Sequence, residues 1–484
     1  METFMEEKSS IKISSRAFLS SVIILLVLMI VAGTLTYIIP SGSYERIELD
    51  GNTVIAPETF RFSDGGGYPV WRWFTAPFEV LVSADAVTVI FIIVFIFIIG
   101  GVFTVLEKCG MLRFIMTSLV RRFARSKYRL MAFLVLFFML FGSVFGLFEE
   151  LVALVPIVIV LSYALGWDSL TGLGMSALAA GFGFSAATMN PFTLGVAQSL
   201  VGLPAFSGIL FRIIFLALCY ACLYAFLYRY ARKIERTPEA SLVYNEDSEG
   251  RAKYSDASSL AALPNEKQLK RTATVFGVSI LLVIIYVIAG FFIPALTSVS
   301  MPVMALAFLI GGLVGGAISG YGGSVWRDFL GGIGGIAPSA ILILMAMSVK
   351  LIITNGGIID TILYYLSGSI SGMGSYGAAI MIYAVVLVLN FFVGSGSAKA
   401  FLLMPIIAPL SDLVGLSHQI AVTAFCFGDG FTNLLYPTNP LLMIALGVSV
   451  VSYPKWFKWT LSIQILMLVL SIASLCIAVF IGYV

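Results

Sequence analysis

The chain has 484 residues, of which 60% are hydrophobic and only 11% are charged. Soluble domains carry about 25% charged residues, so this chain has too few to coat a water-exposed globule, and several apolar runs exceed the roughly 20 residues that cross a bilayer. These features exclude a soluble enzyme, a disordered scaffold and a secreted disulfide module, and the net charge of +3 gives no reason to expect a nucleic-acid partner. The sequence predicts an all-α polytopic protein embedded in a lipid bilayer.

Nine apolar runs are predicted as helices that cross the membrane. They lie at 17–39, 81–107, 170–203, 207–228, 272–293, 301–320, 336–354, 418–449 and 459–482. Two other regions each hold two shorter apolar runs joined by small residues, 130–146 with 149–165 and 376–393 with 398–414. These are predicted as re-entrant hairpins, which a membrane tolerates where the turn is buried in protein or lines a cavity.

Lys and Arg are distributed unevenly along the chain. Seven lie between Lys108 and Arg129 and nine between Arg229 and Arg271, whereas the segments on the other side of the predicted membrane hold only four. Those four are Arg46, Arg61, Arg72 and Arg212. Since basic residues concentrate in cytoplasmic loops, the pattern predicts a multi-pass protein with the N-terminus in the cytoplasm and the C-terminus outside. The expected location is the bacterial plasma (inner) membrane.

The two halves of the chain share a pattern of Gly and Pro at an offset of 249 residues, as in Asn190-Pro191 and Asn439-Pro440. The predicted domains are an N-terminal repeat (1–228), a mobile cytoplasmic linker (229–271), and one extra crossing followed by a C-terminal repeat (272–484). The extra crossing would invert the second repeat relative to the first. Inverted repeats, each with a hairpin and an interrupted helix, are typical of secondary transporters.

The hairpin turns are predicted to contribute to a binding site near the bilayer centre. Glycines at 142, 146, 394 and 396 permit tight reversals, and the helix after each turn presents unpaired N–H groups that can bind a carboxylate. The serines of these turns are candidate ligands: Ser143, Ser395 and Ser397.

Two predicted helices are interrupted by Pro191 and Pro440, each of which removes a backbone hydrogen bond. The freed carbonyls and nearby polar side chains can ligate substrate or a small cation, with Na⁺ considered near Asn190 and Asn439. A simple kink whose polar residues satisfy one another is the alternative. The candidate residues are Ser185, Thr188, Asn190, Thr432, Asn433, Thr438 and Asn439.

Charged residues within the apolar segments are a further group of candidates, because charge inside a membrane is costly and usually functional. Glu150 and Lys399 occupy equivalent positions at the 249-residue offset. Three interpretations remain open: an ion pair that links the hairpins, contacts with substrate through Glu149 or Glu150 and Lys399, or a glutamate that carries a coupling proton. Asp429 lies beside the second break and is a candidate for cation binding, with a bond to a neighbouring helix as the alternative.

The turns around Phe148-Glu149-Glu150 and Gly394-Ser-Gly-Ser397, together with the two Asn-Pro breaks, resemble the anaerobic C4-dicarboxylate carrier family over roughly residues 15–484. Within it, the sequence is most similar to the YfcC-like branch of basic amino acid (arginine/ornithine) antiporters. The resemblance implies the ion-transporter-superfamily fold, a homodimer built on a scaffold, and a mobile transport domain that moves as an elevator.

These observations predict a secondary active transporter rather than an enzyme, and no cofactor beyond a coupling ion, Na⁺ or H⁺. The small-molecule substrate is predicted to carry a carboxylate, and basic amino acid exchange fits the mixed charges best. The alternative is a Na⁺- or H⁺-coupled transporter of C4-dicarboxylates or short carboxylates. A membrane-embedded enzyme is less consistent with a chain that has one histidine and no acidic cluster near it. A passive channel is the third option, which predicts flux far above carrier rates and no stimulation by a counter-substrate.

Overall fold

The computed structural model of the protein describes residues 15–49, 52–56, 59–63, 67–111, 114–115, 118, 126–148, 150–204, 207–254, 266–293, 300–368 and 373–484. Most of these residues are helical. The α-helices are α1 (Ser15–Ile38), α2 (Val70–Glu79), α3 (Ala86–Lys108), α4 (Lys127–Leu140), α5 (Val155–Ala164), α6 (Ser169–Leu173), α7 (Ala179–Ser185), α8 (Val196–Leu200), α9 (Ile209–Arg236), α10 (Ser248–Tyr254), α11 (Glu266–Phe292), α12 (Ser300–Ile318), α13 (Val325–Ile336), α14 (Pro338–Asn355), α15 (Ile359–Gly368), α16 (Ser375–Asn390), α17 (Gly396–Leu413), α18 (His418–Gly430), α19 (Pro440–Gly447) and α20 (Tyr453–Phe480).

Six helices of the described ranges have the length and apolar composition of a membrane span. They are Ser21–Ile38, Val89–Lys108, Lys127–Phe145, Ile209–Arg236, Gly396–Leu413 and Tyr453–Phe480. The pair Val325–Ile336 and Ala340–Asn355, bent by 42°, would be a seventh. The predicted count of nine crossings and the two re-entrant hairpins are not confirmed by these lengths, and both stay predictions.

Both predicted helix interruptions are confirmed. The first helix runs through α6, a π-helical turn at Gly174–Leu178 and α7, and it resumes with a π-helical turn at Pro191–Gly195 that leads into α8. The second runs through α18 and a 3₁₀ turn at Phe431–Leu434, and it resumes at α19. Each restart has proline at its first position, where the missing N–H costs nothing and the fixed φ suits a helix.

Glycines allow α3 to pack closely against α12 and α13. A Cβ atom at Gly101 would lie 2.5 Å from the ring of Phe329, and one at Gly312 would lie 2.3 Å from Val102. Helices in a membrane have no water to drive them together, so close backbone approach through small residues supplies the contact. The Lys108 ammonium also lies 2.7 Å from an Asp328 carboxylate oxygen at the end of α3.

Short β-strands follow α1, so the prediction of an all-α chain is wrong in this segment. The strands are β1 (Gly42–Ser43), β2 (Arg46–Leu49), β3 (Asn52–Ile55) and β4 (Arg61–Phe62). They form two antiparallel pairs, β1 with β4 and β2 with β3. The segment is fixed to α15 because Asp360 accepts hydrogen bonds from the Tyr44 backbone N–H and the Arg46 guanidinium.

The first part of the linker is packed against the helices, which contradicts the expectation that the whole linker is mobile. α9 continues to Arg236, and the segment that follows buries Val243 and Asp247 completely. Asp247 accepts hydrogen bonds from the Tyr163 hydroxyl at 2.7 Å and from the Ser169 backbone N–H at 2.8 Å. Residues 255–265 of the predicted linker lie outside the described residues.

Candidate functional site

The first predicted turn and the first helix break are joined through Ser143. The Ser143 carbonyl accepts hydrogen bonds from the backbone N–H groups of Thr188 (3.0 Å) and Met189 (3.1 Å). Its hydroxyl donates to the Ala186 carbonyl at 2.6 Å and lies 2.9 Å from the Thr188 hydroxyl. The turn therefore supplies partners for backbone groups that the interrupted helix leaves unpaired.

Glycines bring these two elements into contact. The π-helical turn Phe141–Phe145 ends at Gly146, whose φ of +69° favours glycine. A Cβ atom at this position would lie 2.3 Å from Oδ1 of Asn190, so the absent side chain makes room for the Asn190 amide. The sequence correctly identified glycine as the residue that permits this turn.

Asn190 has one structural role and one free donor. Its Oδ1 accepts hydrogen bonds from the backbone N–H groups of Phe192 (2.9 Å) and Thr193 (3.3 Å), which caps the restarted helix. Its Nδ2 is buried and has no hydrogen-bond partner within the described part of the chain. A buried donor without a partner is costly, so this atom is suited to an incoming acceptor such as a carboxylate.

The second turn places Lys399 inside the protein. α17 begins immediately after Ser395, whose hydroxyl accepts from the Ala398 backbone N–H at 3.4 Å. Gly394 and Ser395 are exposed and Ser397 is half-buried, but the Lys399 side chain has no exposed surface. Its ammonium lies 2.5 Å from Oδ1 of Asp429 and donates to Oδ1 of Asn390.

The ion-pair partner of Lys399 is Asp429, a residue that none of the three open interpretations of Lys399 named. The ion pair joins α17 to the interrupted helix α18 of the same half of the chain, rather than to Glu150 on the opposite turn. Glu149 lies outside the described residues, and for Glu150 only the backbone is described, at the start of a 3₁₀ turn. The proposed roles of these two glutamates toward substrate or a proton stay predictions.

A chain of amides extends from the ion pair to the second break. Asn390 donates through Nδ2 to the Thr432 hydroxyl (2.7 Å) and to Oδ1 of Asn433 (3.0 Å). Asn439 donates to the same Asn433 oxygen at 2.9 Å and caps α19 by accepting from the Leu441 backbone N–H. The Thr438 hydroxyl donates to the Phe391 carbonyl at 2.6 Å. Many of the predicted polar residues thus satisfy one another, as the alternative interpretation expected.

Residues from the two halves of the chain approach each other at two places, Ser185 and Gly396. A Cβ atom at Gly430 would lie 2.2 Å from the Ser185 hydroxyl oxygen. One at Gly396 would lie 2.4 Å from Thr193 and 2.9 Å from Asp429. The second turn therefore contacts both interrupted helices, and most of the predicted residues that the structure describes lie in one buried polar region, with Ser395 and Ser397 at its exposed edge.

Four residues of this interior, Arg212, Gln198, Gln419 and Asn390, were not predicted from the sequence. Arg212, assigned to an outer segment, is 2% exposed, and its guanidinium donates to Oε1 of Gln419 at 3.0 Å. Gln198 donates to the same oxygen at 3.3 Å. The signal was present, because Arg212 and Asn390 each interrupt an apolar run, and a polar residue in such a run usually has a functional or pairing role.

The sequence matches a family of carriers over nearly its whole length. The family described as "DcuC: C4-dicarboxylate anaerobic carrier" matches residues 18–480. A protein of Escherichia coli strain K12 named "Putative basic amino acid antiporter YfcC" is 30% identical over 507 residues, which cover 96% of this chain and 96% of that protein. An uncharacterised protein of Haemophilus influenzae is 27% identical over 483 residues, which cover 92% of this chain and 93% of that protein.

Two solved transporter structures resemble the chain more distantly. The YdaH transporter of Alcanivorax borkumensis is 19% identical with a TM-score of 0.44, and the alignment covers 96% of this chain and 98% of that one. MtrF of Neisseria gonorrhoeae, described among antimetabolite efflux pumps, is 18% identical with a TM-score of 0.41, covering 95% and 94%. At these TM-scores the two structures do not fix the positions of residues in this chain.

Proposed function

Since the chain belongs to the C4-dicarboxylate anaerobic carrier family, whose members are transporters rather than enzymes, we propose that it is a secondary active exchanger of amino acids. The proposed substrate carries a carboxylate, and a basic amino acid such as arginine or ornithine fits best. The name of the E. coli relative, a basic amino acid antiporter, supports this class.

The observation that carries the proposal is the buried polar region where two turns and two interrupted helices meet. It combines a paired Lys399 and Asp429, an amide chain and the free Asn190 donor inside a chain that is 60% hydrophobic. Polar groups at helix breaks within an apolar protein are the usual means by which transporters bind solutes.

In this proposal, different parts of the region recognise the two ends of the substrate. The carboxylate accepts from Nδ2 of Asn190 and approaches the N-terminal end of α17, whose dipole favours an anion. The cationic end requires a carboxylate that is not already neutralised, and Asp429 is paired with Lys399. Glu149 and Glu150 remain the proposed partners for the substrate ammonium or guanidinium.

Exchange in proteoliposomes tests the substrate. Purified protein is reconstituted with ornithine inside, and uptake of labelled arginine is compared with uptake into vesicles that contain no amino acid. The proposal expects uptake that depends on internal ornithine. Arg72→Gln is the control for a substitution outside the proposed site, because it breaks an ion pair with Glu79 within α2. This variant is expected to keep full exchange. Uptake that is unaffected by internal and external cationic amino acids would overturn the assignment.

The second candidate substrate is a C4-dicarboxylate, favoured by the description of the family as C4-dicarboxylate anaerobic carriers. The same vesicles are supplied with labelled succinate or fumarate under an imposed Na⁺ or proton gradient. Gradient-driven uptake of these anions, together with no arginine exchange, would establish the alternative.

We also propose that the protein acts as a homodimer in the bacterial inner membrane, and that the two turns and interrupted helices move together as an elevator. The buried contacts of Gly396 with Thr193 and of Gly430 with Ser185 support movement as one body, because they join elements from both halves. Light scattering of the purified protein tests the dimer. Cross-links across Gly396–Thr193 that preserve exchange would support rigid movement, and loss of exchange would contradict it.

A further inference from the structure

Lys399 is held in the interior by oxygen atoms. Its side chain is completely buried, and the Asp429 side chain is 1% exposed. The ammonium contacts Oδ1 of Asp429 at 2.5 Å and donates to Oδ1 of Asn390. The Asn390 amide is held in this orientation because its Nδ2 donates to Thr432 and Asn433. One carboxylate and one amide oxygen therefore converge on a single positive charge.

The first half of the chain lacks this arrangement. At the 249-residue offset, the positions that correspond to Lys399, Asp429 and Asn390 are Glu150, Ala180 and Phe141. The ammonium, its carboxylate and its amide partner thus occur together in the second half and are absent together from the first. The arrangement is therefore confined to the second half, and the contacts described above are what join the three residues.

The buried Asp429 carboxylate needs a monovalent cation beside it, and the groups available to bind that cation are oxygen atoms. An isolated carboxylate in an apolar interior is strongly disfavoured unless a positive charge compensates it. A carboxylate and an amide oxygen are ligands of hard inorganic cations as well as acceptors for an ammonium. Lys399 supplies the compensating charge covalently, so it is present in every conformation and at every ion concentration.

We propose that Lys399 is a tethered cation occupying a monovalent-cation site formed by Asp429 and Asn390. The second half of the protein consequently needs no dissociable Na⁺ at this position. Shortening Lys399 vacates the site and exposes it to Na⁺ from solution. The inference concerns the coupling chemistry of the proposed transporter, but its test uses no substrate, so its failure is distinguishable from failure of the proposed exchange.

The test measures thermal unfolding of the purified full-length protein in NaCl and in choline chloride at equal ionic strength. A ligand that binds only the folded state raises the unfolding midpoint saturably. Lys399→Ala is expected to unfold several degrees higher in NaCl than in choline chloride. The wild-type protein is expected to lack this Na⁺-specific increment.

Three matched variants distinguish the effect of the Lys399 charge from the effect of the volume that its side chain fills. Lys399→Met fills the site without charge, Lys399→Arg retains the charge, and Lys399→Ala with Asp429→Asn removes the carboxylate. All three are expected to lack the Na⁺ increment. Folded Lys399→Ala without any Na⁺-specific shift, or an equal shift in the wild type, would overturn the proposal.

Poor recovery of the variant is also informative. Lys399→Ala that is recovered folded only from Na⁺ buffer would support the proposal. If it is recovered from neither buffer, Lys399→Ser, which also vacates the site and adds a hydroxyl oxygen, is tested in its place. If neither Lys399→Ala nor Lys399→Ser is recovered folded, in Na⁺ buffer or in choline buffer, the proposal is overturned. The Asp429 carboxylate would then accept no cation in place of Lys399.

Discussion

Asn190 combines a helix cap with a free donor, and the two roles can be separated by substitution. Its Oδ1 accepts from two backbone N–H groups, while its buried Nδ2 has no partner within the described residues. Aspartate retains the capping oxygen but removes the amide donor and adds a negative charge. Substitutions at this position therefore have two readouts, the unfolding midpoint for the structural contribution and the KM of exchange for the binding contribution.

We predict that Asn190→Asp lowers stability, because the new carboxylate is buried without a compensating positive charge, and that the KM of the protein that does fold rises about tenfold or more. The physical reason is repulsion of the substrate carboxylate where an N–H donor had been. Asn190→Ala is expected to lose the cap as well, which costs about 0.5–2 kcal/mol of stability. Uptake kinetics and thermal unfolding check both expectations.

The control for cap loss is Ser324→Ala. Ser324 caps α13 by accepting from the Arg327 backbone N–H at 3.3 Å. This variant should lose stability comparable to that of a helix cap and keep the wild-type KM. An unchanged KM in Asn190→Asp would show that this amide does not contact the substrate.

Arg212 provides a second prediction at the residue scale. Its buried guanidinium donates to Oε1 of Gln419, an oxygen that also accepts from Gln198. Arg212→Met is expected to lower stability by about 1–3 kcal/mol, because the guanidinium's hydrogen bond is lost and a polar group is left with fewer partners. Arg212→Lys should recover part of the loss. Equal stability of Arg212→Met and the wild type would contradict this account.

At the scale of whole elements, the sequence predicted the backbone better than it predicted the contacts. The breaks at Pro191 and Pro440 agree with the loss of a backbone hydrogen bond at proline, although Pro405 and Pro409 lie within the continuous helix α17. The Lys399–Asp429 pair was not predictable, since it joins residues 30 positions apart on different helices and depends on how those helices pack. The offset between the halves suggested Glu150 instead.

The packing of the linker against the helices and the presence of the β-strands were not predicted, for a related reason. The polar composition around Asn245 and Glu246 favours exposure, yet Asp247 is buried because Tyr163 and Ser169 supply donors from other elements. The strands β1 and β4 are only two residues long, too short to show an alternating pattern. Local sequence carries no signal for partners that lie far away in the chain.

Docking of the linker is predicted to depend on pH through Asp247. Burial and the neighbouring Asp168 raise the pKa of Asp247 to about 7, and the hydrogen bonds from Ser169 and Tyr163 only partly oppose this effect. Because the pKa is higher in the docked state than in the free state, protonation favours docking. Docking should be strongest below about pH 4 and should weaken as the pH rises through about 7.

Limited proteolysis of the linker checks this prediction. The wild-type linker should be cleaved faster at pH 8 than at pH 5.5, after correction for the activity of the protease on an unfolded substrate. Asp247→Asn should abolish the difference, because the amide does not titrate. Glu246→Gln removes the nearby ion pair with Lys455 and should retain the pH effect. Equal cleavage of the wild type at both pH values would contradict the assignment.

At the scale of the whole molecule, the orientation in the membrane is a prediction from where the charges lie. The region before and after α10 carries much of the excess of Lys and Arg, whereas the strand segment between α1 and α2 carries little. The positive-inside rule predicts that the linker faces the cytoplasm and that the strands face the opposite side. The ion pair between Arg46 and Asp360 holds the strand segment to α15.

Labelling of single cysteines tests this orientation. The five native cysteines are first replaced, and cysteine is then introduced at Glu249 in α10 or at Arg61 in β4, both of which are exposed. A membrane-impermeant thiol reagent should modify Glu249→Cys only in inside-out vesicles and Arg61→Cys only in intact cells or right-side-out vesicles. Detergent should make both accessible, which controls for reactivity. Modification of both sites from the same side of an intact membrane would exclude the proposed topology, since an odd number of crossings must separate them.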